Sequence, residues 1–199
     1  MSKFDIYDID NGNFFTKTRT VFLYGEINAF TAYEIGCRLK YLDFCNSEEP
    51  ITLEINSPGG EVSSGLGIID TMNCIKAPVR VVVCGMAASM AALIAASGTK
   101  GMRYALPHSN IMIHQPLGGF GISQASDIDI YAKSIVKTKK MLNEILAEAC
   151  GKTPEEIEND TDRDYYMSAE EAKNYGILDG IIESKKAVKY EYIQRTENK

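Results

Sequence analysis

Ser89 interrupts the run of small apolar residues in GMAASMAALIAASG (85–98), in which a second serine, Ser97, stands only at the end before Gly98. An alanine-rich helix in a core has no need of a hydroxyl group, whereas a site built on a serine nucleophile does. Ser89 stands at the first turn of the helix expected after a strand, where parallel α/β proteins commonly place their sites. The partial positive charge of a helix N-terminus favours a developing anion there. Helix N-capping is the competing interpretation of a lone serine at this position.

A serine becomes a nucleophile only with a base beside it, and the chain has two histidines, His108 and His114. His108 follows a proline in an expected turn. His114 ends an alternating strand pattern, where it can face a cleft, although a hydrogen-bonded structural histidine is the alternative. An acid that orients the base can come from the segment DTDRD (160–164), which leaves the choice open among Asp160, Asp162 and Asp164.

A glycine turn offers the remaining part of such a site. In INSPGG (55–60), two glycines follow an expected strand, and glycine lets a backbone approach a substrate closely. The N–H groups of Gly60 and of Met90, the residue after the serine, can hold an oxyanion. A simple tight turn is the alternative. No GxxxxGK[ST] pattern is present, so the turn is not a phosphate loop.

The composition limits the classes of function. The chain has 199 residues, a net charge of −6 and no long basic run, which argues against binding to nucleic acid or to a membrane surface. Residues 81–99 are uncharged, but Gly85 divides them into a β-branched strand and an alanine-rich helix, which disfavours a membrane span. The first residues lack the pattern of a signal peptide. The five cysteines include no CxxC, so we expect no zinc site and a reducing, cytoplasmic location.

Strand-like and helix-like segments alternate, which predicts an α/β domain with a largely parallel sheet. Strands are expected at 21–27, 51–57, 79–85, 103–107 and 110–115, and helices at 30–44, 62–75, 87–96, 153–160 and 168–176. Thr153 and Ser168 are the expected N-caps of the last two helices, and Gly176 the expected stop. The segment 162–167 is expected to be a loop.

The segment 123–150 predicts one long amphipathic helix, roughly 42 Å at about 1.5 Å per residue. Its apolar residues recur every seven positions at Ile128, Ile135, Leu142 and Ala149, with Ala125, Ala132 and Ile145 beside them. Such a helix overhangs a domain of this size, so we expect its apolar stripe to mediate self-association. A helix laid across its own sheet is the alternative.

Four motifs together resemble the Clp protease proteolytic subunit family: INSPGG (55–60), GMAASM (85–90), LPHSNIMIHQPLGG (106–119) and DRDYYMSAEEAKNYGILDGII (162–182). The resemblance runs from about residue 20 to residue 182. It implies a triad with Ser89 as nucleophile, His114 as base and Asp164 as the acid, because Asp164 matches the family's Arg-Asp followed by two aromatic residues. Gly60 and Met90 match the backbone of the family's oxyanion hole.

The resemblance also implies a fold and an assembly. It implies one domain over 1–199 with a crotonase-like spiral of ββα units, in which 1–19 form an axial segment. The long protruding helix 123–150 would hold two stacked heptameric rings together. Asp162 and Arg163 match a pair that bridges the rings and couples assembly to the triad. Gly118, Gly119 and Phe120 match a strand with which a polypeptide substrate pairs. No cofactor or metal is implied.

The chain departs from the family pattern where an ATP-driven unfoldase of the AAA+ class would dock. In ITLEINS (51–57), Thr52 and Glu54 stand where the family usually has aromatic residues, and a charge in an apolar socket is costly. Ala91 replaces a usual glycine, and the N-terminal segment matches the family's axial gate poorly. We therefore expect peptide hydrolysis, with an unfoldase partner of atypical docking.

Two other functions are compatible with parts of this pattern. A catalytically silent or latent ring subunit that scaffolds an active paralogue usually lacks a triad member, whereas all three positions are filled here. A crotonase-type acyl-CoA enzyme of the same fold gives no reason for Ser89, His114 and Asp164 to occur together. The sequence favours a self-compartmentalised serine endopeptidase.

Overall fold

The computed structural model describes residues 13–119 and 121–183, with the backbone only for 13–15. Most of the expected axial segment, together with Phe120, lies outside the described residues. The helices are α1 (Asn13–Thr18), α2 (Ala29–Cys45), α3 (Val62–Cys74), α4 (Met90–Ala96), α5 (Ala125–Cys150), α6 (Pro154–Asp160) and α7 (Ala169–Tyr175). The strands are β1 (Thr20–Tyr24), β2 (Ile51–Ser57), β3 (Val79–Ala88), β4 (Arg103–Ala105), β5 (Asn110–Ile113), β6 (Tyr165–Ser168) and β7 (Gly180–Ile181).

The seven strands of the described residues form one sheet, in the order β1-β2-β3-β4-β7, with β5 paired to β3 and β6 to β5. Every pair is parallel except β5 with β6, which is antiparallel. The predicted mixed α/β fold with a largely parallel sheet is therefore confirmed. Since β2, β3 and β5 run in the same direction, their carboxyl ends meet at one edge of the sheet, where sites of α/β proteins form.

The central strands bury one face and leave the other partly open. Their inward residues, such as Leu53 and Val81, are fully buried in a core shared with the helices. On the opposite face the register aligns one partly exposed row across four strands, formed by Phe22, Glu54, Val82 and Tyr104. Parallel sheets are ordinarily covered on both faces. Within the described residues, the face that carries this row is therefore only partly covered.

The strand β3, which leads directly to Ser89, is longer than expected. The prediction ended the strand at Gly85 and began the helix at residue 87, which is wrong at both points. β3 continues to Ala88 and α4 begins at Met90. Gly85 has φ 103°, a conformation that glycine adopts without strain, so the residue bends the strand instead of ending it.

The predicted loop at 162–167 is also partly wrong, because Tyr165–Ser168 form β6. Its residues pair with β5 in the register Ile113↔Tyr165 to Asn110↔Ser168. A strand this short has too little alternation to be recognised locally, and its pairing with β5 is what forms it. The bounds of β2 match the prediction, and the other predicted boundaries, including the start of the long helix at residue 125, differ by at most three residues.

The predicted caps of the last two helices are confirmed. The side chain of Thr153 accepts a hydrogen bond from the Glu156 N–H, and that of Ser168 accepts one from the Glu171 N–H. Both form complete capping boxes, which satisfy backbone donors at the helix start. Gly176 ends α7 in the left-handed conformation.

The long helix α5 has 26 residues and packs on the core only near its C-terminal end. Its buried residues are Leu142, Asn143, Leu146 and Ala147. Apolar side chains in its first half are exposed, namely Ile128, Ile130 and Val136. α5 therefore does not lie across its own sheet over its whole length.

One buried ion pair joins the end of the sheet to two helices. Arg103 is 4% exposed and holds Asp179 through two bonds of 2.7 and 2.9 Å, while its Nη1 donates to the carbonyls of Ala96 and Ala149. Burial raises the pKa of Asp179, but the hydrogen bonds and the charge of Arg103 outweigh that effect and hold it below its ordinary value.

We expect Asp179→Asn to lower the free energy of unfolding by about 3 kcal/mol at pH 7, because Arg103 is left buried without a counter-charge. Urea-induced unfolding at matched protein concentration measures this. The ionised carboxylate contributes stability above its unfolded-state pKa of about 3.9, and the contribution is lost as pH falls through the lower folded-state value.

The difference between the two proteins should therefore shrink in acid. Asp129→Asn is the matched control, because it removes only an exposed pair with Lys133 and should cost less than about 0.5 kcal/mol. A difference from wild type that stays constant down to pH 3 would contradict the assignment.

Candidate active site

Ser89 lies at the junction of β3 and α4 with φ 55° and ψ −124°, a region that is strained for any residue but glycine. It occupies the N-cap position of α4, yet its side chain makes no capping hydrogen bond. Its backbone N–H donates to the carbonyl of Met112 at 2.8 Å, which fixes it to β5. The N-cap interpretation is therefore wrong for the side chain, whose hydroxyl points to another partner.

That partner is His114, the residue directly after β5. Its Nε2 lies 2.8 Å from Ser89 Oγ, and its Nδ1 lies 3.1 Å from Asp164 Oδ1. Asp164 directly precedes β6, so the antiparallel pairing of β5 with β6 brings the carboxylate to the imidazole. The structure thus joins the three predicted residues in one chain of hydrogen bonds.

The other candidate residues are occupied elsewhere. Asp160 accepts a hydrogen bond of 2.8 Å from the Tyr175 hydroxyl. Burial, followed by this bond, raises the pKa of Tyr175. The Asp162 carboxylate lies 3.7 Å from Arg163, and His108 is exposed in the turn before β5. Of the three aspartates that the sequence left open, Asp164 alone meets His114.

The glycine turn packs directly against the serine. A Cβ at Gly59, which has φ 92°, would lie 2.8 Å from the Ser89 Cβ and 2.6 Å from the Ala88 carbonyl oxygen. Such contacts are too close for any real side chain, so only glycine fits here. The turn therefore brings its backbone into van der Waals contact with the serine backbone.

Two backbone donors face this contact. Gly60 forms a parallel bridge with Ile27. In this bridge the Ile27 N–H donates to the Gly59 carbonyl and the Ile27 carbonyl accepts from the Glu61 N–H. The N–H of Gly60 itself therefore points away from Ile27. Met90 is the first residue of α4, and a first-turn N–H has no acceptor within its own helix. Both predicted oxyanion donors are thus compatible with a negatively charged ligand atom beside Ser89.

The segment predicted to pair with substrate begins just after His114. Gly118 and Gly119 belong to no strand, and a Cβ at Gly118 would collide with the side chains of Tyr131 and Ile135 on α5. A side chain at Gly118 would therefore have to displace the ends of these two side chains on the long helix. The pairing with a substrate strand stays a prediction.

In residues 13–119 and 121–183, no group of three or more His, Cys, Asp and Glu side chains is arranged to hold a metal ion. Within those same ranges no helix is long and apolar enough to cross a bilayer.

The Clp protease family model matches residues 4–185. The chain belongs to the Clp protease family. The ATP-dependent Clp protease proteolytic subunit 2 of Prochlorococcus marinus (strain NATL2A) is 54% identical over 164 residues, 82% of each chain. The ATP-dependent Clp protease proteolytic subunit of Ligilactobacillus salivarius (strain UCC118) is 50% identical over 173 residues, 87% of each chain. Subunit 3 of Synechococcus sp. (strain CC9605) is 52% identical over 164 residues, 82% of each chain.

Sequence reasoning missed two neighbours of the site. The sequence predicts only a turn at Gly59, whereas the structure shows that its missing side chain leaves the room that Ser89 occupies. Gln115, next to the histidine, donates from Nε2 to the Asp162 carbonyl at 2.8 Å. The only signal for Gln115 was its place in the motif MIHQP, which says nothing of a partner 47 residues away.

We expect Gly59→Ala to slow covalent labelling of Ser89 by a fluorophosphonate roughly 100-fold, the scale of losing one oxyanion donor. The new methyl group must displace the serine or the turn. Gly151→Ala is the matched control, because Gly151 has a similar φ of 71° but nothing within 4 Å of the added Cβ. It should cost only about 1 kcal/mol of stability and leave labelling unchanged. Equal labelling of both variants would show that the Gly59 contact does not matter.

Proposed function

We propose that this protein is a serine endopeptidase that cleaves unfolded polypeptides into short peptides. The single observation that carries the proposal is the continuous set of hydrogen bonds Asp164–His114–Ser89, with the serine in a strained backbone conformation between a strand and a helix. Membership of the Clp protease family supports the same reaction class.

The geometry allows each step of acyl transfer. Ser89 Oγ attacks the carbonyl carbon of the scissile peptide while His114 Nε2 takes its proton. The N–H groups of Gly60 and Met90 bind the resulting oxyanion. His114 then gives the proton to the leaving amine, and a water molecule, activated by the same imidazole, hydrolyses the acyl-enzyme. Asp164 holds Nδ1–H and stabilises the imidazolium throughout.

We propose further that a peptide substrate lies along residues 118–120 as an added β-strand. Backbone hydrogen bonds of this kind bind any sequence, and side-chain pockets then supply specificity. The exposure of both glycines supports this arrangement, because an exposed backbone without side chains can be approached by a second strand. Binding through the backbone suits an enzyme that degrades many polypeptides.

Exposed apolar surfaces support assembly of the whole 1–199 domain, with the crotonase-like spiral of its family, into stacked heptameric rings. One such surface is the open face of the parallel sheet, and another is the first half of α5. A third is the outer face of α2, where aromatic side chains are exposed at helical spacing: Phe30, Tyr33, Tyr41 and Phe44. Surfaces of this extent mark interaction sites. We assign the α2 face to contacts within a ring, α5 with Asp162 and Arg163 to contacts between rings, and the sheet face, which carries Glu54, to a partner protein.

The relatives are named as parts of ATP-dependent proteases, and we propose an AAA+ unfoldase as the partner here in the cytoplasm. The sequence placed a costly charge, Glu54, on the docking surface. In the structure its carboxylate accepts a hydrogen bond of 2.5 Å from the Tyr24 hydroxyl. The Glu54 carboxylate therefore has a hydrogen-bond partner within the chain. The surface suits a docking segment that can pack on polar side chains at Glu54 and Thr52.

We expect the purified protein to react with a fluorophosphonate probe and to hydrolyse a short fluorogenic peptide, and Ser89→Ala to abolish both. Ser97→Ala is the matched control, because Ser97 directly follows the same helix and its hydroxyl donates to the Leu93 carbonyl. An assembled wild-type protein that neither labels nor cleaves would reject an active peptidase and favour the silent or latent subunit.

Charge reversal at Arg163 should weaken stacking of the rings, since its side chain is 92% exposed in the segment before Asp164. Sedimentation velocity should show single rings replacing double rings for Arg163→Glu. Lys100→Glu makes the same change of charge at another exposed site and should leave the assembly intact. An identical distribution for both variants would remove Arg163 from the interface.

A further inference from the structure

The backbone between β5 and β6 is asymmetric around His114. Two links bound this stretch, the pair Ile113↔Tyr165 and the hydrogen bond of 2.8 Å from the Gln115 N–H to the Thr161 carbonyl. Between these links the β5 side has a single residue, His114. The other side has residues 162–164, so two residues are in excess and the segment bulges. We call residues 162–164 the acid bulge, because Asp164 is its last member.

The acid bulge is held firmly at its ends and weakly in its interior. Before it, Thr161 is buried and its hydroxyl donates to the Ile157 carbonyl at 2.7 Å. After it, Tyr165 enters the β6 ladder. Within it, the Asp162 N–H makes only a long contact of 3.4 Å with the Asn159 carbonyl. The side chains of the bulge are exposed, at 54% for Asp164.

Gln115 provides the strongest restraint on the interior of the acid bulge among the described residues. Its Nε2 donates to the Asp162 carbonyl at 2.8 Å and lies 3.4 Å from the Asp162 carboxylate. Its own backbone is fixed to Thr161, and it directly follows His114. One side chain therefore ties the acid bulge to the strand end that carries the imidazole.

We propose that Gln115 is a positioning residue, which holds Asp164 in line with His114 Nδ1 by restraining the acid bulge. The inference rests on the proposed function, because it assigns Gln115 a role in that same triad. Gln115 touches neither Ser89 nor His114 through its amide, so it acts only through Asp164. Loss of the amide leaves the bulge two excess residues to move in, and the carboxylate then samples positions away from the imidazole.

Two nearly isosteric variants test this. Gln115→Met removes both polar atoms, and Gln115→Glu replaces the donor by a carboxylate that repels Asp162. Each should lower kcat for a fluorogenic peptide roughly 3- to 10-fold, the range for losing one neutral hydrogen bond, with KM unchanged. Asn159→Leu removes an exposed amide nearby and should behave as wild type. Unfolding temperatures confirm that all variants fold.

A double-mutant cycle separates positioning from a general structural effect. Asp164→Asn should slow fluorophosphonate labelling by orders of magnitude. In that background Gln115→Met should have no further effect, because the group through which it acts is already disabled. An undiminished effect in the Asp164→Asn background, or wild-type kcat in both Gln115 variants, would overturn the proposal.

A spectroscopic measurement tests the inference without activity. The His114 Nδ1–H, when bonded to a carboxylate, gives a low-field proton resonance that is readily assigned in a chain with two histidines. Gln115→Met should broaden or abolish it, and Asn159→Leu should not. If the wild-type protein does not react with the fluorophosphonate, the proposed function is contradicted, but the inference about Gln115 is not. The resonance then decides the inference, since an unchanged signal in Gln115→Met overturns it and a lost signal supports it.

Discussion

The site depends on a bend within β3. The first half of this strand pairs with β4 and the second half with β5, so the strand changes neighbours along its length. Against β2 its register shifts by two residues between Val83 and Ala87, which makes a bulge around Gly85. The buried Ser109 stabilises this bulge, since its hydroxyl donates to the Val83 carbonyl and accepts from the Gly85 N–H. A straight strand would leave its last residue beside β4, whereas the bend delivers Ser89 to the end of β5, where His114 lies.

The parts of the fold that follow from local chemistry could be predicted from the sequence. β2 was placed correctly because ITLEINS alternates and is followed by a proline and two glycines. α6 and α7 were found through Thr153 and Ser168, whose capping boxes are encoded within four residues. The identities of Ser89 and His114 followed from their places at strand ends and from the small number of histidines.

The parts that could not be predicted depend on contacts between distant segments. The strand β6 exists because its four residues meet β5, more than 50 positions away, and nothing in DRDYYM requires that pairing. Gly85 was interpreted as a break, because sequence alone does not distinguish a glycine that ends a strand from one that bends it. The choice among three aspartates came from family resemblance, and geometry supplies its reason: the β5–β6 ladder ends beside Asp164, while Asp160 is held by Tyr175.

The three residues of the proposed triad differ in how firmly the fold holds them, and this difference bears on the proposed function. Ser89 is fixed by its bond to Met112 and by the Gly59 contact, and the His114 side chain is only 13% exposed at the end of a buried strand. Asp164 belongs to an exposed segment with few bonds of its own. We therefore expect a perturbation at this surface to displace Asp164 before Ser89 or His114. Because Arg163 stands next to Asp164 in that segment, a second ring that contacts Arg163, as proposed above, would act directly on Asp164. If the proposed enzyme assembles in this way, assembly would act on activity through alignment of the carboxylate, and Ser89 and His114 would stay in place.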